Sequence, residues 1–394
     1  MRRREFLFLM GAAMTRFTFA NEIASDTKIV RLISFDLRTQ RVKFVGKNSR
    51  LDVHGDHSVD RLVKLVVNNG LEGFGCCRAE DAALASLLGK NPSDALKERA
   101  LGVHSMPLLD LVGKLTGKPV YELLANPAKP QAASTVRVYD GSVYFQDLLP
   151  QYADSWRDQF KKEVDEIFSR GHRGFKVKIG RGAKWMPREE GDKRDVEVLK
   201  LLRQHAGKDV AIAVDANNGY GLERTKWLLN ELPDFNFDWL EEMFPEQLDD
   251  DLALKQFIRG KKLETRIADG ETQPNVEGLK PFMPAKAIDL YQLDVNAVGC
   301  EGLMEEAALC APYGESLAPH TWGTLLGFYA QLHVARAIPN FYSGEQDPLS
   351  HPAIITENYK IKDGLATVPS TPGFGLKLDA SKLKDVKPIL DLKP

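Results

Sequence analysis

The stretch VAIAVDANNGYGLERTKWLLNELPDFNFDWLEEMF, residues 210–244, sets two short apolar runs on either side of one amphipathic segment. The runs "VAIAVDANN" and "FDWLEEMF" are short enough to be strands, while "LERTKWLLNEL" carries its apolar residues at helical spacing. Each run finishes on an acid, Asp215 in the first and Glu241 in the second. The pattern repeats outward. Upstream, "GFKVKIG" (174–180) precedes "DVEVLKLLRQHA"; downstream, "FDWLEEMF" is followed by "DLALKQFIRG". Then come "TRIADGE" with "VEGLKPFM", "AIDLYQLDVNAVG" with "LMEEAALCAPYG", and "ESLAPHTWG" with "LLGFYAQLHVARAI". Strand–helix alternation of this length predicts a parallel sheet, either doubly wound and open or closed into a (β/α)₈ barrel.

The run ends decide between them. They carry Lys178, Asp215, Glu241, Glu271, Asp294, His320 and Glu345, and from Asp215 the steps are 26, 30, 23, 26 and 25 residues. An open sheet gathers its ligands at one switch point. A barrel brings every strand end to one rim, so a whole series of polar ends favours the barrel. The Gly-rich dinucleotide fingerprint is missing after the first strand.

Ahead of the barrel, "IVRLISFDLR" and "RLVKLVVNNGLEGFGCCR" read as strands, followed by helical spacing in "PSDALKERALGVHSMPLLDLVGKLTGKPVYELLA". Residues 27–135 are therefore expected to form an α+β unit, with 136–365 as the barrel. The leader "MRRREFLFLMGAAMTRFTFANEIAS" has arginines, a short apolar segment and a small residue at Ala20. That is signal-peptide order over residues 1–20, and Arg3-Arg4-Glu5-Phe6-Leu7 resembles the twin-arginine export motif. Export to the bacterial periplasm is the expectation, with the cytoplasm as the alternative. The formal net charge of −2, with basic residues dispersed, gives no reason to expect nucleic acid or, after processing, a membrane as partner. Four cysteines, without CxxC spacing or a histidine cluster of zinc type, do not indicate a disulfide scaffold or a zinc site.

Asp215, Glu241 and Glu271 on successive strands would repel one another unless a cation sat among them. Hard oxygen ligands on separate strands suit Mg²⁺. Alternation along "GFKVKIG" puts Phe175, Val177 and Ile179 on one face, and points Lys176 and Lys178 together toward the acids. A cation beside them, with each lysine's charge acting on the other, is expected to depress their pKa values and supply an amine base. Across from them, His320 would be held in one tautomer by Asp294. A base on each face with a divalent ion between them suits removal of a proton next to a carboxylate.

The ordered set "KVK", "VDANN", "WLEE", "IADGE", "LDVNAVG", "APHTWG" and "SGEQ" resembles the enolase superfamily, in its mandelate racemase subgroup. "LLDLVGKLTGKPVYELL" is similar to the helical part of that family's capping domain, and "DGLATVPSTPGFGLKLD" to its closing stretch. The resemblance implies a modified (β/α)₈ barrel under an α+β capping domain, to which the C-terminal segment 366–394 returns. It implies one Mg²⁺ on Asp215, Glu241 and Glu271, and a small carboxylic acid as substrate. Lys178 matches the base of the KxK motif, and Lys176 its neighbour near the substrate carboxylate. Asp294 and His320 match the family's dyad. Glu345 matches an acid that hydrogen-bonds substrate, and Asn217 a residue near metal and substrate. Two departures are visible: Met243 replaces the usual Pro after the paired glutamates, leaving Glu242 as a rival to Glu241, and Asp269 rivals Glu271. The resemblance also implies a homo-oligomer.

Proton removal can lead to two outcomes. Loss of a β-hydroxyl gives a 2-keto-3-deoxy acid, the sugar acid dehydratase reaction favoured by the resemblance. Return of the proton to the opposite face, with Lys178 and His320 as paired bases, makes a racemase or epimerase of an α-hydroxy acid. A non-catalytic acid-binding barrel is the reading from another class. Which acid is taken is expected to depend on the loop "VGKNSRLDVHGDH".

Overall fold

A computed structural model describes residues 23–125 and 133–394. The leader expected over residues 1–20 lies outside these described residues. Eight parallel strands run Thr135–Val143, Gly174–Lys178, Ala211–Asp215, Trp239–Glu241, Arg266–Asp269, Leu290–Tyr291, Ser316–Leu317 and Gly344–Gln346, each hydrogen-bonded in turn to its neighbour. Gly344–Gln346 pairs with Thr135–Val143, and a parallel bridge from Leu317 to Phe341 completes the ring. The sheet is thus a closed barrel under a capping sheet, the architecture expected from the strand ends.

Alternation assigns the two faces of each strand. Phe175, Val177, Ile212, Val214, Leu240 and Ile267 turn outward into the main core against the helices. Ala213, Trp239, Ala268, Leu290, Ala318 and Tyr139 turn inward as a separate small layer. Its alanines leave room at the axis for Tyr139 and Trp239, which meet edge to face at 4.8 Å. That layer is the floor of the site, and above it the inward positions are polar.

The capping sheet consists of Ile29–Val45, Gly55–Val67 and Glu72–Cys76, antiparallel, with Leu349–Ser350 and Leu390–Leu392 both added to the first strand. The helix Met106–Thr116 packs against it, and the helices Pro92–Lys97 and Val120–Leu124 pack on that helix. Gly73 is needed there, since a Cβ would come within 2.5 Å of Leu111. The cap is joined to the barrel by buried polar contacts. Asp60 accepts from the amides of Leu325 (2.9 Å) and Leu326 (3.2 Å), capping the helix Leu325–Ala337 from another sheet. Asp110 accepts from the amides of Phe74 (2.9 Å) and Phe374 (3.0 Å), holding the C-terminal segment to the cap.

Three details differ from the sequence reading. The strand Thr135–Val143 is the eighth stave, hidden in sequence beside a Pro-rich stretch. Glu271, Asp294 and His320 stand two or three residues beyond their strand ends, in the turns above Asp269, Tyr291 and Leu317. The stretch "RGAKWMPREEGDKR" (181–194), polar enough to read as a loop in sequence, is half helix, because the helix Arg188–Ala206 begins directly behind Pro187.

Candidate active site

Lys176 and Lys178 are both buried, and register with the next strand puts Lys178 opposite Asp215. The Lys178 amine donates to Asp215 Oδ2. The Lys176 amine donates to Glu241 Oε1, lies 3.0 Å from Glu345 Oε1 and 3.5 Å from Asp215 Oδ2. Two lysines on the inward face of a buried strand therefore have acids opposite them. The depression expected of the lysine pKa values supposes a bound cation; from the protein's own groups alone, burial opposes the charge, but Asp215 beside Lys178, and Glu241 and Glu345 beside Lys176, push both amines up. That expectation counted a cation and left out carboxylates in direct contact.

Asp215, Glu241 and Glu271 each offer an oxygen, and all three oxygens lie within 4.8 Å of one another. Glu241 is oriented by Trp239 Nε1 (2.8 Å) and Gln292 Nε2 (2.9 Å), which donate to Oε2. Burial, against the pull of Lys176, raises its pKa to about 7. Asp215 is held well below the usual carboxylate range: Lys178 and Lys176 outweigh burial. Glu271 Oε2 is buried without a hydrogen-bond partner. A buried oxygen that makes no hydrogen bond and has the His320 imidazole as a charged neighbour, beside two more converging carboxylates, fits a hard divalent cation.

The two rivals stand outside the triad. Glu242 follows an inward residue and stands beside the triad without joining it, its Oε2 accepting at 3.1 Å from Asn217 Nδ2, which also approaches Asp215 and Glu271. Asp269 neighbours inward Ala268 and accepts from the amide of Gly270 at 2.7 Å. Burial, with Glu246, Glu242 and Asp251 nearby, pushes its carboxyl well above the usual range. Met243 is buried in the main core.

His320 stands at the Glu271 side of the triad. Its Nδ1 lies 2.5 Å from Asp294 Oδ2, and its Nε2 lies 3.3 Å from Glu271 Oε2 and 4.0 Å from Glu345 Oε2. Burial disfavours the imidazolium, yet Glu271, Asp294 and Glu345 together raise it to about 10. Asp294 is the N-cap of the helix Val295–Cys310, and its Oδ1 accepts from the amide of Asn296. Glu345 Oε2 accepts from the amide of Thr321 at 2.9 Å. Asn217, with φ of 41°, donates to Glu242 and approaches Glu271 Oε1 at 3.4 Å, beside the triad.

Lys176, Lys178, Asp215, Asn217, Glu241, Glu271, Asp294, His320 and Glu345 thus stand together in one cluster. Missed were Trp239 and Gln292, which orient Glu241, and the wall of Tyr144, Trp322 and His54. The Lys178 amine lies 5.2 Å over the Tyr144 ring. Trp322 stacks on Tyr144 at 5.0 Å, and His54 of the cap meets Tyr144 edge-on at 4.7 Å. Only the Thr-Trp directly behind His320 hinted at this wall. The polar stretch after Lys178 reaches the capping loop: Trp185 Nε1 donates to Asn48 O (2.6 Å) and Lys184 to Arg50 O (2.8 Å).

Known proteins are similar to this chain in sequence and fold. D-galactarolactone cycloisomerase of Agrobacterium fabrum is 26% identical over 373 residues, 84% of this chain and 92% of that protein. Arabinonate dehydratase of Saccharolobus solfataricus is 30% identical over 288 residues, 71% of this chain and 70% of that one. Galacturonate dehydratase from a Geobacillus species, solved with D-galacturonate and 5-keto-4-deoxy-D-galacturonate, superposes with a TM-score of 0.83 at 31% identity, covering 91% of this chain and 96% of that one. A variant of the same dehydratase was solved with Mg. Residues 159–382, more than half of this chain, match the family described as enolase C-terminal domain-like. The protein belongs to that family, within the enolase superfamily.

Proposed function

We propose that this protein is a Mg²⁺-dependent sugar acid dehydratase, converting a polyhydroxy acid to its 2-keto-3-deoxy product. One observation carries the reading: the three converging carboxylates separate Lys178, on Asp215, from His320, on Glu271. The likeness to arabinonate and galacturonate dehydratases, both at 30% identity or above, supports the same class.

The substrate's carboxylate lies toward the triad and Lys176, with C2 between Lys178 and His320. When bound, Mg²⁺ supplies positive charge to that carboxylate as it takes on more negative charge, and draws on Asp215, whose charge otherwise holds the Lys178 proton. Lys178, as the neutral amine after releasing its own proton to solvent, removes the C2 proton, and the C–H electron pair moves into the bond toward the carboxylate. His320, charged through its acidic neighbours, gives its proton to the hydroxyl on C3. The C3–O bond breaks, water leaves, and the enol settles as the 2-keto acid. Asp294 keeps Nδ1 engaged so that Nε2 carries the transferred proton.

The test is a panel of sugar acids and α-hydroxy acids followed for keto-acid formation and for C2 proton exchange in D₂O. Dehydration of a sugar acid, lost by at least about a thousandfold in Lys178→Ala and His320→Asn, is the expected result. Exchange without elimination would replace this reading with the racemase one, and exchange surviving both substitutions would remove the catalytic assignment.

A further inference from the structure

Trp322 carries a buried indole Nε1–H with no hydrogen-bond partner, an uncommon state for a donor. Its ring stacks on Tyr144 at 28° and 5.0 Å, and Tyr144 in turn lies under the Lys178 amine. Behind it, the Arg41 guanidinium sits 5.0 Å from the ring centroid, tied to Asp347 at 2.8 Å and to the carbonyls of His54 and His57. The indole is therefore fixed, its ring stacked on the ring that underlies the Lys178 amine.

His54 completes the wall. Its Nδ1 lies 3.2 Å from Gly46 O, an atom that only accepts, so Nδ1 carries the proton and Nε2 presents a lone pair. Burial, reinforced by Lys178 and Arg41, pushes this imidazole down to about 4, so the lone pair persists at neutral pH. Two cations of the cap are already paired with carboxylates. Arg41 is bound to Asp347, and Lys47 lies 3.2 Å from Asp52 with its amine over Trp185.

We infer that Trp322 and His54 form a donor–acceptor pair that recognises a hydroxyl at the far end of the substrate, selecting a sugar monoacid over a diacid. A hydroxyl accepts from the indole and donates to Nε2. A second carboxylate has no proton to give and would face the lone pair without a counter-charge. The inference rests on the dehydratase reading and adds the substrate's distal group to it.

The test compares kcat/KM for hexonic acids with that for the matching hexaric acids, in wild type, Trp322→Phe and His54→Gln. Phe keeps the stacked ring and removes only the donor; Gln adds an N–H that can serve a carboxylate. Wild type is expected to favour the monoacid by about a hundredfold. Trp322→Phe should lose about tenfold on the monoacid, mainly through KM, with the diacid within about twofold. His54→Gln should narrow the preference by raising the diacid. A wild type that prefers the diacid, or a Trp322→Phe loss equal for both acids, overturns the pair while leaving the dehydratase reading intact. Turnover of neither acid, nor of any other sugar acid, overturns the dehydratase reading itself.

Discussion

Asp294 does two jobs with two oxygens, and they can be separated. Oδ1 caps a helix, while Oδ2 holds His320. Asparagine caps about as well as aspartate but brings no charge. Asp294→Asn is therefore expected to leave the melting temperature within about two degrees while cutting keto-acid formation at least about a hundredfold. Parallel thermal melts and rate assays check this, and a matched loss of both would reduce Asp294 to architecture. The glutamate pair gives a second experiment. Glu241 belongs to the triad and Glu242 does not, so Mg²⁺ should raise the melting temperature of wild type and of Glu242→Gln by a few degrees, reversed by EDTA. In Glu241→Gln that rise should vanish, as read by scanning fluorimetry; the opposite pattern would reassign the ligand. Sequence alone could name this pair but not choose, because a one-residue shift in strand phase exchanges the two side chains.

The element most closely tied to its surroundings is the helix Leu325–Ala337, buried along nearly its whole length. Inside it, His333 Nδ1 accepts from the amide of Tyr121 at 3.1 Å, and Nε2 donates to Tyr359 Oη at 2.8 Å. Tyr359 donates onward to Phe374 O at 2.6 Å, so one imidazole joins cap, barrel and C-terminal segment. Burial pushes His333 down to about 3, far below an unfolded histidine near 6.5. Between those values the unfolded chain binds the extra proton, so stability falls as pH drops from 6.5 toward 3. The expected contribution is a loss of about 2 kcal/mol from pH 7 to pH 5, seen in urea midpoints. His333→Gln should show a flatter profile over that window, and an unchanged slope would discard the assignment. None of this was legible beforehand. The apolar spacing of "LLGFYAQLHVARAI" marks a helix, but the partners of His333 come from segments more than 20 residues away on either side. The staves themselves were legible because their outward faces are continuous apolar runs. Thr135–Val143 was not, since its inward Tyr139 and polar Asp140 and Ser142 break the pattern.

At the scale of the whole molecule, the barrel could be read from the order of strand ends, and the chemistry from the types of residue standing there. What could not be read is the fit between cap and barrel, since the wall of His54, Tyr144 and Trp322 draws on three separate stretches of chain. The same separation bears on how the cap is completed. Leu390–Leu392 lies antiparallel along Ile29–Val45, and Arg31 meets Asp391 across 360 positions of sequence. A nascent chain leaving the ribosome can lay down every stave and still lack the strand that seals this outer edge. Until residue 390 is released, the main-chain amides and carbonyls from Leu32 to Ser34 face water or whatever peptide drifts past. The cover over the pocket is thus finished after the chamber it covers, and the newborn protein passes through a stage with an assembled reaction chamber and an unsealed roof.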